Sequence, residues 1–102
     1  MKVTSRLYDN TVWFYPEGEI DECSVPSLRR EVDGIIDRNA TAQRAVFNLA
    51  GIRFMDSTGI GFLIGRYKKL KRYDIAMYIE NPNLTADKVL SVSGVYNLIP
   101  KL

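Results

Sequence analysis

The apolar positions along the chain change between the spacing of strands and the spacing of helices. Residues 3–8 and 12–15 are rich in β-branched and aromatic side chains, and they flank Asp9-Asn10, a dipeptide suited to a tight turn. We therefore predict that the chain opens with a β-hairpin. Pro16 and Gly18 are expected to loosen the end of its second strand.

A first helix is predicted to follow the hairpin and to run to about Arg38. Ser24 is a residue type that caps helices, and Pro26 suits a first helical turn. Five apolar residues then recur at helical spacing, with charged residues between them. These residues are Val25, Leu28, Val32, Ile35 and Ile36.

A buried strand and a second helix are predicted in the middle of the chain. Residues 45–50 are apolar enough for a strand that is covered on both faces, and hence for a central place in a sheet, although Asn48 interrupts them. Residues 51–55 lead into a helix that should last to about Arg72.

The remaining residues continue the alternation of strands and helices. We predict a strand over 75–79, a short helix over 84–93 that Gly94 ends, and a last strand over 96–99. The predicted order is ββαβαβαβ. This order indicates a single α/β domain, residues 1–102, with a mixed, largely parallel sheet and crossover helices.

The start of the middle helix carries the most distinctive residues. Asp56, Ser57 and Thr58 are residue types that cap helices, so a helix is predicted to begin near Ser57. The first amides of a helix lack intrahelical acceptors, and the helix dipole leaves partial positive charge there. Such a turn can hold an anion or a phosphorylated hydroxyl, although a serine in this position is most often a simple cap.

A helical wheel divides the same helix into two faces. Phe62, Gly65, Arg66 and Lys69 fall roughly opposite the apolar stripe. An aromatic ring among cations indicates a surface that docks a partner, unless Phe62 is one of the isolated apolar residues that many surfaces expose. Gly61 and Gly65 would permit close packing or the approach of that partner. The stripe predicted to face the core is Ile60, Leu63, Ile64, Tyr67 and Leu70.

Composition narrows the possible classes of function. With 102 residues, 46% hydrophobic and 25% charged, the chain has the values of one globular domain. The net charge of +2 is too balanced to indicate nucleic acid or an anionic membrane as a partner. No apolar run has the length of a spanning helix, so we expect a cytoplasmic protein. The chain has no histidine and one cysteine, Cys23, and we expect neither a metal nor a cofactor.

Two enzyme motifs are matched only in part. A serine nucleophile at a strand-to-helix turn needs a preceding glycine and a histidine base, but Met55 occupies the glycine position and the chain lacks histidine. Gly59 and Gly61 could begin a dinucleotide-binding loop, but Ile64 stands where the third glycine is needed. Asp56 would also place negative charge beside the pyrophosphate. We therefore expect no catalytic residues.

Residues 54–71 closely resemble the signature of the STAS domain, and specifically that of anti-sigma factor antagonists of the sporulation type. Asp56-Ser57-Thr58-Gly59, followed by Gly61 and by Gly65-Arg66-Tyr67-Lys68, matches this pattern nearly residue for residue.

Three further segments extend the resemblance over most of the chain. Gly18-Glu19-Ile20-Asp21 resembles the second motif of the family, Val46-Phe47-Asn48-Leu49 its central strand, and Ser93-Gly94-Val95 the Ser-Gly-Leu near its third helix. The family usually adds a fourth helix after the last strand, and this helix is expected to be absent here.

The resemblance implies a regulator of transcription rather than an enzyme. Ser57 would be the phosphoacceptor of an ATP- or ADP-bound serine kinase that also serves as the anti-sigma factor. The unphosphorylated protein would bind that kinase and release a sigma factor, and phosphorylation would prevent binding until a PP2C-type phosphatase reversed it. The alternative is a STAS scaffold or accessory subunit, as in a stressosome or a lipid-transport complex, in which the serine need not be modified.

The resemblance also implies which residues surround the switch. Asp21 and Asn48 would lie near Ser57 at the strand ends, and Asp56, Thr58 and Gly59 would adjoin it along the chain. The predicted partner surface consists of Phe62, Arg66, Lys69, Gly61 and Gly65.

Overall fold

The computed structural model describes all 102 residues and confirms the mixed α/β fold. Three helices and five strands alternate along the chain, and a short 3-10 helix, Val95–Asn97, follows the last α-helix. None of the helices is both long enough and apolar enough to cross a membrane. The elements are β1 (Lys2–Tyr8), β2 (Thr11–Ile20), α1 (Val25–Arg38), β3 (Arg44–Asn48), β4 (Ile52–Met55), α2 (Ser57–Arg72), β5 (Ala76–Glu80) and α3 (Leu84–Ser93).

The predicted hairpin is present as β1 and β2, which pair antiparallel. Its two turn residues, Asp9 and Asn10, have φ values of 55° and 56°. Both angles lie in the left-handed region that the tightest hairpin turns require and that Asp and Asn tolerate. β2 continues past Pro16, further than predicted, because the amide of Gly18 finds a new acceptor 3.0 Å away in the carbonyl of Gly51.

β2 pairs in succession with two different strands. Its first half pairs parallel with β3, and its last residues, from Gly18 to Ile20, pair parallel with β4. β5 lies parallel on the other side of β3, so the sheet order is β1-β2-β3-β5 with β4 beside the end of β2. Residues 51–55 were predicted only as a lead-in to α2. They contain β4, whose four residues are too few to show a periodic pattern.

The last predicted strand, 96–99, is a 3-10 turn. Gly94 ends α3 with a left-handed φ of 80°, and the amides of Leu98 and Ile99 then bond back to the carbonyl of Val95 at 2.9 and 2.8 Å. Pairing with the sheet is limited to one parallel bridge between Lys101 and Ile79. The observed order of strands and α-helices, ββαββαβα, therefore differs from the predicted order by one added and one lost strand.

All three helices cover the same face of the sheet. One apolar cluster contains the buried residues of α1, α2 and α3 together with alternate residues of the strands. Val46 of β3 is 2% exposed but does not belong to that cluster. Its cover comes from Trp13 of β2 and Tyr78 of β5, which are its register partners on either side. β3 is therefore buried on both faces and lies between β2 and β5, as predicted, although helices cover only one of its faces. We call the face without helices the open sheet face.

Two glycines of α2 are expected to respond in opposite ways to alanine. A Cβ atom at Gly59 would overlap Cγ of Met55 and lie 3.2 Å from Cγ2 of Ile20, whereas Gly61 has no neighbour within 4 Å. Gly59→Ala should lower the free energy of unfolding by about 1–3 kcal/mol through overpacking. Gly61→Ala should raise it by up to about 1 kcal/mol through helix propensity. Urea denaturation measures both values, and equal effects would contradict this packing.

Candidate functional site

Ser57 is the first residue of α2 and is exposed to solvent. Its hydroxyl forms no hydrogen bond with another residue of the domain, although the adjacent Thr58 does. The hydroxyl therefore stands free at the amino end of a 16-residue helix, where the helix dipole leaves partial positive charge.

Asp56, and not Ser57, is the cap of α2. One carboxylate oxygen of Asp56 accepts hydrogen bonds from the backbone amide of Thr58, at 2.9 Å, and from the hydroxyl of the same residue. The side-chain hydrogen bond from Thr58 is the largest cause that holds the pKa of Asp56 below its usual value, so this carboxylate is charged at neutral pH. Because Asp56 takes the capping role, the interpretation of Ser57 as a simple cap is wrong.

Asp21 and Ser57 lie at the same edge of the sheet. Ile20, the last residue of β2, pairs with Met55, the last residue of β4, and its carbonyl accepts a bond from the amide of Asp56 at 3.4 Å. Asp21 and Asp56 thus follow two paired strand ends. The short β4 is the element that brings the start of α2 to this edge.

Asp21 also orders the loop that leads into α1. One of its carboxylate oxygens accepts hydrogen bonds from the amides of Cys23 and Ser24, each at 3.0 Å. Ser24 occupies the predicted cap position of α1, but its side chain bonds no helix amide and instead donates to the carbonyl of Glu19 at 2.7 Å. The carboxylate of Asp21 is therefore a structural acceptor in this loop.

Asn48 lies away from Ser57, contrary to the prediction. β3 ends beside Phe14 of β2, whereas β4 ends beside Ile20, so about five residues of β2, or roughly 16 Å, separate Asn48 from the start of α2. The side chain of Asn48 donates to Glu80 of β5 at 2.9 Å. The prediction failed because the sequence did not reveal that β4 extends the line of β3 along β2.

Ser57 borders a first groove, which runs between α1 and α2. Gly61 and Gly65 leave open space in this groove, since an added Cβ at either would contact nothing within 4 Å. The lining also carries one exposed cation, Arg29 of α1. The residues that line the first groove are Val25, Arg29, Ser57, Thr58, Gly61, Phe62, Gly65 and Arg66.

Phe62 and Arg66 form the buried wall of this groove, and the prediction that they project from an exposed face is wrong. They are 4% and 7% exposed. The ring of Phe62 packs edge-on against that of Phe47, with 6.4 Å between centroids, and the guanidinium of Arg66 lies 5.1 Å above the centroid of Phe62. Nε of Arg66 is 2.8 Å from Oδ1 of Asp33 on α1, an ion pair without the direction of a hydrogen bond. Burial lowers the pKa of Arg66, and Asp33 opposes that effect.

Lys69 is also directed to α1, since its Nζ lies 2.9 Å from Oδ1 of Asp37. The helical wheel placed these residues wrongly because it assumes one buried stripe. α2 instead packs against the sheet below it and against α1 and α3 on its two flanks. Phe62 and Arg66 on the flank that faces α1 are buried, and Ile60 on the other flank remains partly exposed.

A second groove lies on the opposite side of Ser57, between α2 and α3. Its lining is largely apolar, and Val92 of α3 is 80% exposed there. Sequence reasoning missed this groove because nothing in the pattern of α3 indicated that it would flank Ser57. The residues that line the second groove are Asp56, Ser57, Ile60, Lys88, Val89, Val92 and Ser93.

The hydroxyl of Ser57 is exposed and lies between the two grooves. No basic side chain of the domain is hydrogen-bonded to it, and the carboxylate of the preceding residue, Asp56, is engaged with Thr58. An unactivated serine is a weak nucleophile. The exposed position between two grooves gives a second protein access to the hydroxyl from either side.

Several known proteins are similar to this chain in sequence and in fold. The family model of the STAS domain matches residues 2–102. The chain is 30% identical over 83 residues to an anti-sigma F factor antagonist of Paenibacillus polymyxa, covering 81% of this chain and 70% of the relative. It is 26% identical over 99 residues to an anti-sigma-B factor antagonist of Bacillus subtilis (strain 168), covering 97% and 88%.

A solved structure of similar fold is that of the anti-sigma factor antagonist SpoIIAA in its unphosphorylated form. It matches with a TM-score of 0.76 at 24% identity, covering 99% of this chain and 88% of the other. At that identity the likeness shows the fold alone. Because the family model spans nearly the whole chain, the protein belongs to the STAS-domain family, and its relatives include anti-sigma factor antagonists.

Proposed function

We propose that this protein is an anti-sigma factor antagonist whose binding is switched by phosphorylation of Ser57. In this proposal the unphosphorylated protein binds an anti-sigma factor that is also a serine kinase, and the sigma factor is released. The exposed, unbonded hydroxyl of Ser57 between two grooves carries the proposal. The relatives named as anti-sigma factor antagonists support the assignment of the partner.

The start of α2 is suited to accept a phosphoryl group. Phosphorylation adds about −1.5 to −2 charges, which the amino end of a helix stabilises. Arg29 in the first groove and Lys88 in the second add a cation on each side of Ser57. The domain itself should therefore tolerate the modification.

The second groove is suited to bind the unmodified protein's partner. Ile60, Val89 and Val92 present apolar surface beside Ser57, and apolar surface of this kind gains free energy when a partner removes it from water. A phosphoryl group at the edge of this surface would have to lose its hydration on docking. The phosphoryl group would also be repelled by the nucleotide phosphates of the kinase. Binding is therefore expected to fail until a PP2C-type phosphatase removes the phosphoryl group.

Phosphorylation can be tested by the mass of the product. Incubation with ATP and the anti-sigma serine kinase encoded in the same genome should add about 80 Da, the mass of one phosphoryl group. Ser57→Ala should abolish the gain. Thr58→Val is the matched control, because the hydroxyl of Thr58 is engaged with Asp56 and its loss should leave the gain intact.

The same measurement separates this proposal from its alternative. If the wild-type protein binds the kinase but gains no mass, a STAS scaffold or accessory subunit without a phosphorylation switch is the better description. If the mass gain persists in Ser57→Ala and is lost in Thr58→Val, the phosphoacceptor has been misassigned.

A further inference from the structure

The open sheet face carries a row of four side chains that crosses the whole sheet. Register pairs Arg6 with Trp13, Trp13 with Val46 and Val46 with Tyr78. The row therefore begins with a cation on β1, has two apolar side chains in the middle and ends with a tyrosine on β5. None of its members belongs to the core cluster that the helices cover.

Further aromatic side chains enlarge the apolar surface around this row. Tyr8 is 67% exposed, and Tyr8, Tyr15, Arg6 and Trp13 line one shallow cleft. Aromatic side chains grouped on a surface mark sites of association, because each buries a large area with little loss of conformational freedom. No helix of this chain covers them.

We propose that a second copy of this chain packs on the open sheet face. A two-fold axis parallel to the strands, between β2 and β3, would place β1 over β5 and β2 over β3 of the other copy. Arg6 would then lie over Tyr78 of the second copy, a cation–π pair, and Trp13 would lie over its β3. The symmetry forms each contact twice.

The charges on this face favour the same arrangement. The charged residues of β1 are Lys2 and Arg6, both basic, and register places both on the open sheet face, whereas the charged residue of β5 is Glu80. With β1 over β5 of the second copy, register places Glu80 of that copy over Thr4, so that its carboxylate lies between Lys2 and Arg6. An arrangement with β1 over β1 would bring like charges together.

The size of the face predicts a weak, reversible dimer. Four strands about 4.8 Å apart and about six residues long present roughly 400 Å² per copy. A standard stable interface buries about 800 Å² per partner. Ser57 lies in the helix layer on the other side of the sheet, so the inference does not depend on the proposed function.

Trp13 gives a direct readout, because it is the only tryptophan in the chain. Between about 1 μM and about 1 mM protein, its emission should shift to shorter wavelengths as the second copy covers it. Over the same range, sedimentation equilibrium should show the mass rising from 11.6 kDa towards twice that value. A monomer at 1 mM with unchanged emission would overturn the proposal.

A matched pair of charge reversals tests the geometry. Arg6→Glu should weaken association at least tenfold, since it removes the cation–π pair with Tyr78 and brings a second negative charge near Glu80. Arg30→Glu makes the same charge change at an exposed site on α1 and should leave association unchanged. Circular dichroism checks that both variants are folded. Equal effects of the two variants would overturn the arrangement. Single-stranded nucleic acid is the alternative occupant of an aromatic surface, and oligodeoxythymidine is its probe. A protein that stays monomeric, and whose Trp13 emission changes only when this oligonucleotide is added, would also overturn the proposal.

Discussion

Phosphorylation of Ser57 should weaken binding to the anti-sigma kinase about 30- to 1000-fold, or about 2–4 kcal/mol. Ser57→Asp introduces one charge at the same place and should lose at least tenfold. Ser57→Ala keeps the site uncharged and should bind as tightly as the unmodified protein. Isothermal titration calorimetry with ADP present measures all of these affinities against one partner.

A serine far from both grooves supplies the control for this measurement. Ser5 on β1 is exposed, so Ser5→Asp makes the same chemical change without charging the start of α2. It should bind like the wild type. Equal affinities for Ser57→Ala and Ser57→Asp would remove the basis of the switch. If Ser57→Ala failed to bind at all, the apolar groove would not be sufficient for docking.

Phe62→Ala should lower the free energy of unfolding by about 3–5 kcal/mol. The ring is 4% exposed, packs against Phe47 and carries the guanidinium of Arg66 on its face. Its removal leaves a cavity between α2 and β3, and it also removes the apolar support of a buried cation. Urea denaturation of the purified variant measures the loss.

The same substitution at an exposed phenylalanine is the natural comparison. Phe54 on β4 is 47% exposed, and Phe54→Ala should change stability by no more than about 1 kcal/mol. If Phe62→Ala were as stable as the wild type but failed to bind a partner, the ring would belong to a docking face after all. Loss of stability with retained binding at low temperature would support its place in the core.

The sequence was most informative where its pattern was long. α1 and α2 were predicted with correct ends because each repeats its apolar positions over more than three turns. The hairpin was predicted because Asp9 and Asn10 favour the backbone angles of its turn. β4 was missed because four residues are too few to show a periodic pattern. The segment after Gly94 was predicted as a strand, but its amides form local hydrogen bonds instead of pairing with the sheet.

The candidate site was only partly predictable for a related reason. Ser57 was singled out from a local motif, and Asp21 from the resemblance to the STAS family. The positions of Phe62 and Asn48 were predicted wrongly because they depend on tertiary features that the sequence pattern does not reveal. One is that α2 is flanked on both sides by helices, and the other is that β2 changes partner halfway along its length.

The free hydroxyl of Ser57 affects how quickly the proposed phosphorylation and dephosphorylation could occur. No internal bond has to break before an enzyme reaches this oxygen, because the hydroxyl makes none and lies outside the core. Repeated rounds of modification would then need no local opening of the chain. The rate of the cycle would be set by the activities of the kinase and the phosphatase and by the supply of ATP to the kinase. Conformational change in the domain itself would not limit this rate.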